Sequence, residues 1–141
     1  MSQKERSGIR DLSYSSWHRT ESIARFVGKR AKEIAAIDID FLEYHDSCKA
    51  PLALIETALD TGQSHKPIRM TLNLAKRAHI ACYVVLYTLA TRDNPADSKY
   101  KDIASLRVKR YWPKPHKQWH ILTPQEWSEE LLNLRKMGMD C

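Results

Sequence analysis

Apolar and polar positions alternate along this chain in blocks that change period. Ile37-Asp38-Ile39-Asp40-Phe41-Leu42-Glu43-Tyr44 and Pro51-Leu52-Ala53-Leu54-Ile55-Glu56-Thr57-Ala58 are short and rich in aliphatic and aromatic residues. A polar His45-Asp46-Ser47-Cys48-Lys49 stretch separates them, so the two read as a β-hairpin. Alternation puts Asp38, Asp40, Leu42 and Tyr44 on one face of the first strand, and Leu52, Leu54, Glu56 and Ala58 on one face of the second. Upstream, Ile23, Phe26, Val27 and Ala31 follow helical spacing, which predicts a helix over about 17–34 with Ser15 or Ser16 as its cap. Residues 1–12 read as a flexible arm and 13–141 as a single domain.

Downstream of the hairpin, Asp60 to His65 is turn-rich, and Pro67 suits the first turn of a helix over about 66–78. Its apolar stripe is Ile68, Leu72 and Ala75. Ala81 to Leu89 is almost unbroken apolar and predicts a central strand covered on both faces. Strand, helix, strand in that order is a right-handed crossover, which makes the second and third strands parallel. Residues 91–102, with Asp93-Asn94-Pro95, read as a surface loop and Ile103 to Tyr111 as a strand. Residues 112–116 hold two prolines and read as irregular, and 119–122 as a short strand. Thr123-Pro124-Gln125-Glu126 has the capping-box pattern and a proline at the first helical position. It opens a helix to about Lys136 with Trp127, Leu131, Leu134 and Leu132 turned inward. The expected class is α/β, a central mixed sheet flanked by helices.

Charge narrows the partners. The 141 residues carry a net charge of +6, which favours an anionic partner and puts nucleic acid first. Lys99, Lys101, Arg107, Lys109, Arg110, Lys114 and Lys117 crowd one segment together with Tyr100, Tyr111, Trp112 and Trp119. Cations beside stacking aromatics make a nucleic-acid surface, and a solvated strand whose aromatics cover the core is the equal alternative. Arg69, Lys76 and Arg77 form the basic flank of the second helix. An apolar span long enough for a bilayer is missing, as is a signal-like start, so a cytoplasmic protein without membrane contact is expected. Cys48, Cys82 and Cys141 are widely spaced, which argues against a disulfide framework or a structural zinc site. His116 and His120 stand four apart, but the prolines before them argue against the helix that a two-histidine metal site would need.

The candidate chemistry lies in Asp40 and Glu56. Facing the same way on neighbouring strands they would make a paired-carboxylate site, the arrangement that Mg²⁺ takes with water and substrate phosphate. Acids that simply face solvent are the ordinary alternative for either residue taken alone.

Helix, acidic hairpin, helix and buried parallel strand, over about residues 17–89, resemble the core of the PD-(D/E)xK, or restriction-endonuclease-like, nuclease superfamily. The wording Leu54-Ile55-Glu56, a Gly62-Gln63 turn, a basic helix and Tyr83-Val84-Val85 resembles its virus-type and recombination-type branches. The resemblance implies that Asp40 is the metal-binding Asp, with Asp38 as its fallback, and that Glu56 is the Glu of the second motif. It assigns Glu21 to the acid on the first helix, and Gln63 and Lys66 to additional polar positions. The family's Lys position is Ala58 here, so Lys66, or with less reach His65, would have to supply that charge. A Mg²⁺ or Mn²⁺ ion held by Asp40, Glu56 and the carbonyl of Thr57 is implied, with Asp40, Glu56 and Lys66 catalytic. Arg69, Lys76, Arg77, Arg107, Lys109 and Arg110 would hold nucleic acid, DNA ahead of RNA. The implied activity is that of a phage-type or mobile-element DNA nuclease, with a homodimer expected through exposed Trp112 and Trp119. A fold kept without catalysis, serving as a DNA-binding or protein-binding factor such as an inhibitor of a host defence complex, is the alternative.

Overall fold

A computed structural model describes residues 11–18 and 20–137, so the expected arm at 1–12 lies almost wholly outside the described residues. The chain divides into two compact units, residues 1–38 and 39–141.

In the first unit, α1 (Ser13–Trp17) and α2 (Thr20–Val27) are followed by a 3₁₀ turn, Gly28–Glu33. The expected single helix over 17–34 is therefore broken. Ser15 and Ser16 lie inside α1, and the free N–H of Ser13 is taken by the Asp11 carboxylate at 2.7 Å instead. Gly28, at φ +60, stops the α-helical course after Val27, a backbone turn that costs glycine little. Trp17 packs on Phe26 with ring centroids 6.2 Å apart.

The second unit is α/β. A five-stranded mixed sheet runs β1 (Phe41–Tyr44), β2 (Pro51–Leu59), β3 (Ala81–Asn94), β4 (Asp97–Trp112) and β5 (His120–Leu122), in that spatial order. β1 and β2 are antiparallel, β2 and β3 parallel, and β4 is antiparallel to both of its neighbours. The parallel pair is joined through α3 (Arg69–Ala78), as strand, helix, strand requires. Each face of the sheet buries one helix. Ala53, Ile55, Tyr83, Val85, Leu106 and Val108 meet Trp127, Leu131 and Leu134 of α4 (Pro124–Met137). On the other face Leu54, Cys82, Val84 and Leu86 meet Ile68, Leu72 and Ala75 along α3. Ala81 to Leu86 is apolar on both sides because it feeds both cores.

Several boundaries moved. β1 begins only at Phe41, which leaves Asp38 and Asp40 outside the strand. α3 begins at Arg69, so Pro67 precedes the helix rather than opening it. It ends at His79 in the left-handed conformation, with Ile80 N–H donating to the Ala75 carbonyl at 3.0 Å. The capping box at α4 is made in both directions. Thr123 N–H reaches the Glu126 carboxylate at 2.9 Å, and Glu126 N–H reaches Thr123 Oγ1 at 3.1 Å. Leu132, expected inward, is exposed. Residues 91–102 are not a loop: β3 and β4 continue to a two-residue turn at Pro95-Ala96. Cys48 is disulfide-bonded, against expectation, while Cys82 is a buried free thiol. Trp112 and Trp119, expected to be exposed, are half-buried against the α3-side core.

Among the described residues no helix is long and apolar enough to cross a membrane.

Candidate metal and phosphate site

β2 carries a carboxylate into the middle of the molecule. Glu56 is only 5% exposed, flanked by Leu54 and Ala58 on the α3-facing side of the sheet. A buried carboxylate must find donors. One is Thr71 on α3, itself 1% exposed, whose hydroxyl donates to Glu56 Oε2 at 3.0 Å. Another is the backbone N–H of Asp40, 3.3 Å from Glu56 Oε1.

The end of β1 sets the position of Asp40. Phe41 pairs with Ile55, so the ladder stops just short of Thr57 on the edge of β2. The Thr57 N–H takes a side chain as its acceptor instead, donating to Asp40 Oδ2 at 2.7 Å, and the Thr57 hydroxyl donates to the same oxygen at 3.1 Å. Burial pushes the Asp40 carboxyl upward, but the two Thr57 hydrogen bonds and the Lys66 charge outweigh it and hold the group below the ordinary carboxylate range.

Lys66 closes the cluster. Its ammonium donates to the Thr57 carbonyl at 3.1 Å and stands 3.6 Å from Asp40 Oδ2 and 3.8 Å from Glu56 Oε1. Three oxygens, two from β2 and one from the residue just before β1, thus surround one cation. The charge of Glu56 is also felt at Cys82, whose thiol is pushed up to about 11 by burial first and by that carboxylate second.

The set fits a hard divalent ion. Among the described residues no group of three or more His, Cys, Asp or Glu side chains is placed to hold a metal ion. Two carboxylates and a carbonyl remain, which suits Mg²⁺, since that ion usually keeps several waters and takes one or two carboxylates. Donor chemistry and charge are right, and the position already holds a positive group.

The other sequence candidates are distributed differently. Asp38 and Glu21 belong to the first unit, and the cluster is built within the second alone. Gln63 stitches its own loop: its side-chain oxygen accepts from Thr61 N–H at 2.7 Å, and its amide donates to the Leu59 carbonyl at 3.0 Å. His65 contacts Ser64, with 3.3 Å between the Ser64 hydroxyl and Nδ1. Arg107 is committed to a fork on Asp60 at 2.7 and 2.8 Å and to the Gln63 carbonyl at 2.9 Å. Hydrogen bonds from Arg107 and the Gly62 N–H lower Asp60 to about 2. Arg110 donates to the Lys114 carbonyl at 3.2 Å. Lys109 lies over the rings of Tyr111 and Trp119 at 5.5 and 5.8 Å. Glu56 pairs in register with Val84, and Val84 with Lys109, so Lys109 shares the sheet face of the acidic cluster two strands away. Arg69, Lys76 and Arg77 are exposed on α3.

His116 and His120 stack with ring centroids 4.0 Å apart beside a cavity of about 200 Å³. His116 Nδ1 accepts from Arg110 N–H at 3.2 Å, so in the neutral ring Nε2 carries the proton and is a donor rather than a metal ligand. Burial, then the charges of His120, Arg110 and Lys109, keep His116 below its ordinary range.

Sequence reading missed Thr71. Its signal was a hydroxyl at the i+3 position of the stripe Ile68, Leu72, Ala75, on a helix packed over a strand that holds a buried acid.

Compared with family models, curated proteins and solved structures, the chain matches none.

Proposed function

We propose that the protein is a metal-dependent phosphodiesterase acting on nucleic acid, DNA ahead of RNA, with a restriction-endonuclease-like core. The observation that carries the reading is the convergence of Asp40, Glu56 and the Thr57 carbonyl on a single cationic position. The order antiparallel strand pair, crossover helix, buried parallel strand supports the same core. Asp40 Oδ2, Glu56 Oε1 and the Thr57 carbonyl would hold Mg²⁺ or Mn²⁺, which when bound supplies Lewis acidity toward the phosphate and acidifies the attacking water. Thr71 keeps one Glu56 oxygen occupied and turns the other to the site. Lys66 offsets negative charge that develops on the phosphate, the task that falls to a Lys at the Ala58 position in the family. Arg69, Lys76, Arg77 and Lys109 contribute phosphate contacts around it. A phage or mobile-element nuclease fits this chemistry.

One observation favours a second reading. Lys66 already balances the two acids, and Ala58 stands at the family's Lys position, so the fold without catalysis would serve as a DNA-binding or protein-binding factor.

The deciding experiment is Mg²⁺- and Mn²⁺-dependent cleavage of single-stranded, duplex and branched DNA and of RNA. In the enzyme, Asp40→Ala and Glu56→Ala each abolish cleavage and leave substrate binding nearly intact. A wild type that binds DNA but cuts no substrate establishes the second reading.

A further inference from the structure

The cation in the acidic cluster is the protein's own. The inference drawn from this rests on the reading of Asp40, Glu56 and Thr57 as a metal site. The Lys66 ammonium meets the same three oxygens that would hold the ion, at 3.1, 3.6 and 3.8 Å. An ammonium and a divalent ion cannot share that space, because like charges a few ångströms apart in a partly desolvated site repel strongly. The backbone on either side of Lys66 is held. Asp60 is locked by Arg107, Gln63 bonds back to Leu59, and Trp119 Nε1 donates to the Ser64 carbonyl at 3.0 Å. α3 begins three residues after Lys66. The Lys66 side chain itself is 28% exposed, and its flexible four-carbon stem can rotate outward without disturbing either anchor.

We propose that Lys66 and a divalent metal are alternative occupants of one site. In the metal-free protein the ammonium is the counter-ion that lets Asp40 and Glu56 lie side by side. Metal loading is then an exchange: the ion enters, Lys66 swings out, and its charge becomes available to a substrate phosphate. The same side chain both restrains metal uptake and is freed by it.

Two measurements on the full chain test this. The first is calorimetric titration with Mn²⁺ of wild type, Lys66→Met and Lys66→Gln, each checked for native circular dichroism in EDTA. Exchange predicts Mn²⁺ binding about tenfold tighter in the two variants, with a larger Mn²⁺-dependent rise in melting temperature, since no resident cation has to be displaced. The second uses wild type alone and so survives a variant that does not fold. Acetic anhydride labelling read by mass spectrometry should modify Lys66 faster with Mn²⁺ than in EDTA. Equal or weaker Mn²⁺ binding in the variants, or labelling that does not rise with metal, overturns the exchange while leaving the metal site standing. A wild type and variants that all fail to bind Mn²⁺ overturn the metal site itself, and the exchange with it.

Discussion

Thr71 shows how much a single hydroxyl can decide. Without it the Glu56 carboxylate, buried between the sheet and α3, would lose its donor at Oε2. Thr71→Val keeps the shape and removes that donor, so it should destabilise the fold by about 1.5–3 kcal/mol, the range for a hydrogen bond to a charged group. Chemical denaturation measures the loss, and an unchanged midpoint would mean that Glu56 Oε2 does not depend on the Thr71 hydroxyl. Metal affinity should fall in the same variant, because the carboxylate is free to turn away. Asp40 and Glu56 could be named from the alternation of the two apolar runs, although Asp40 lies just before β1, and Thr57 and Lys66 from the resemblance, with Lys66 only nine residues beyond Thr57. Thr71 could not, since its importance depends on which strand α3 covers. The lowered Asp40 titration has a direction that follows from linkage. Its ionised form stabilises the fold above the unfolded value of 3.8, and that contribution disappears as pH falls through the lower folded value.

At the level of elements, the Asp60–Lys66 segment is a bracket between β2 and α3. Arg107 reaches it from β4 and forks onto Asp60, and the Asp60 N–H donates to the Tyr87 carbonyl at 2.8 Å. Arg107 reads in the sequence as one more cation of a nucleic-acid surface, because nothing local reveals a partner 47 residues away. Arg107→Ala should therefore lower the melting temperature by several degrees. A variant with unchanged melting that loses only DNA binding would instead make Arg107 a phosphate contact. Asp60→Asn tests the same bracket by pH. With Asp60 at about 2 in the fold against 3.8 unfolded, wild-type stability should drop between those values, and the drop should be smaller in the variant. The β3–β4 ribbon was illegible for a related reason. Asp93-Asn94-Pro95 carries loop chemistry, yet it supplies only the tip. Behind it, Lys101 pairs with Asp93 at 2.8 Å and Arg92 with Asp102 at 3.2 Å, cross-strand contacts that the sequence does not announce. α2 failed in the opposite direction, because its apolar spacing runs on past Gly28 while the backbone does not. The capping box of α4 was legible because both partners sit within four residues.

For the whole molecule, the charge of +6 overstates the surface offered to phosphate. Arg107, Lys101 and Arg92 are spent on carboxylates, and Arg135 is spent on Asp46, in the turn between β1 and β2. Arg69, Lys76 and Arg77 are exposed on α3, and Lys109 lies over the Tyr111 and Trp119 rings on the sheet face that carries Glu56. Four phosphate contacts on duplex DNA predict a slope of log K against log salt of about −3.6, so binding should weaken about a hundredfold between about 50 and about 200 mM salt. Fluorescence anisotropy with a labelled duplex, in EDTA so that no cleavage intervenes, measures the slope. Arg77→Ala should reduce it by about one unit without changing the melting temperature, whereas Lys101→Ala should leave it untouched. A slope near that of six or more contacts would show that the paired arginines open toward DNA. A flat response would remove nucleic acid as the partner and leave the acidic cluster to serve a smaller phosphate ester.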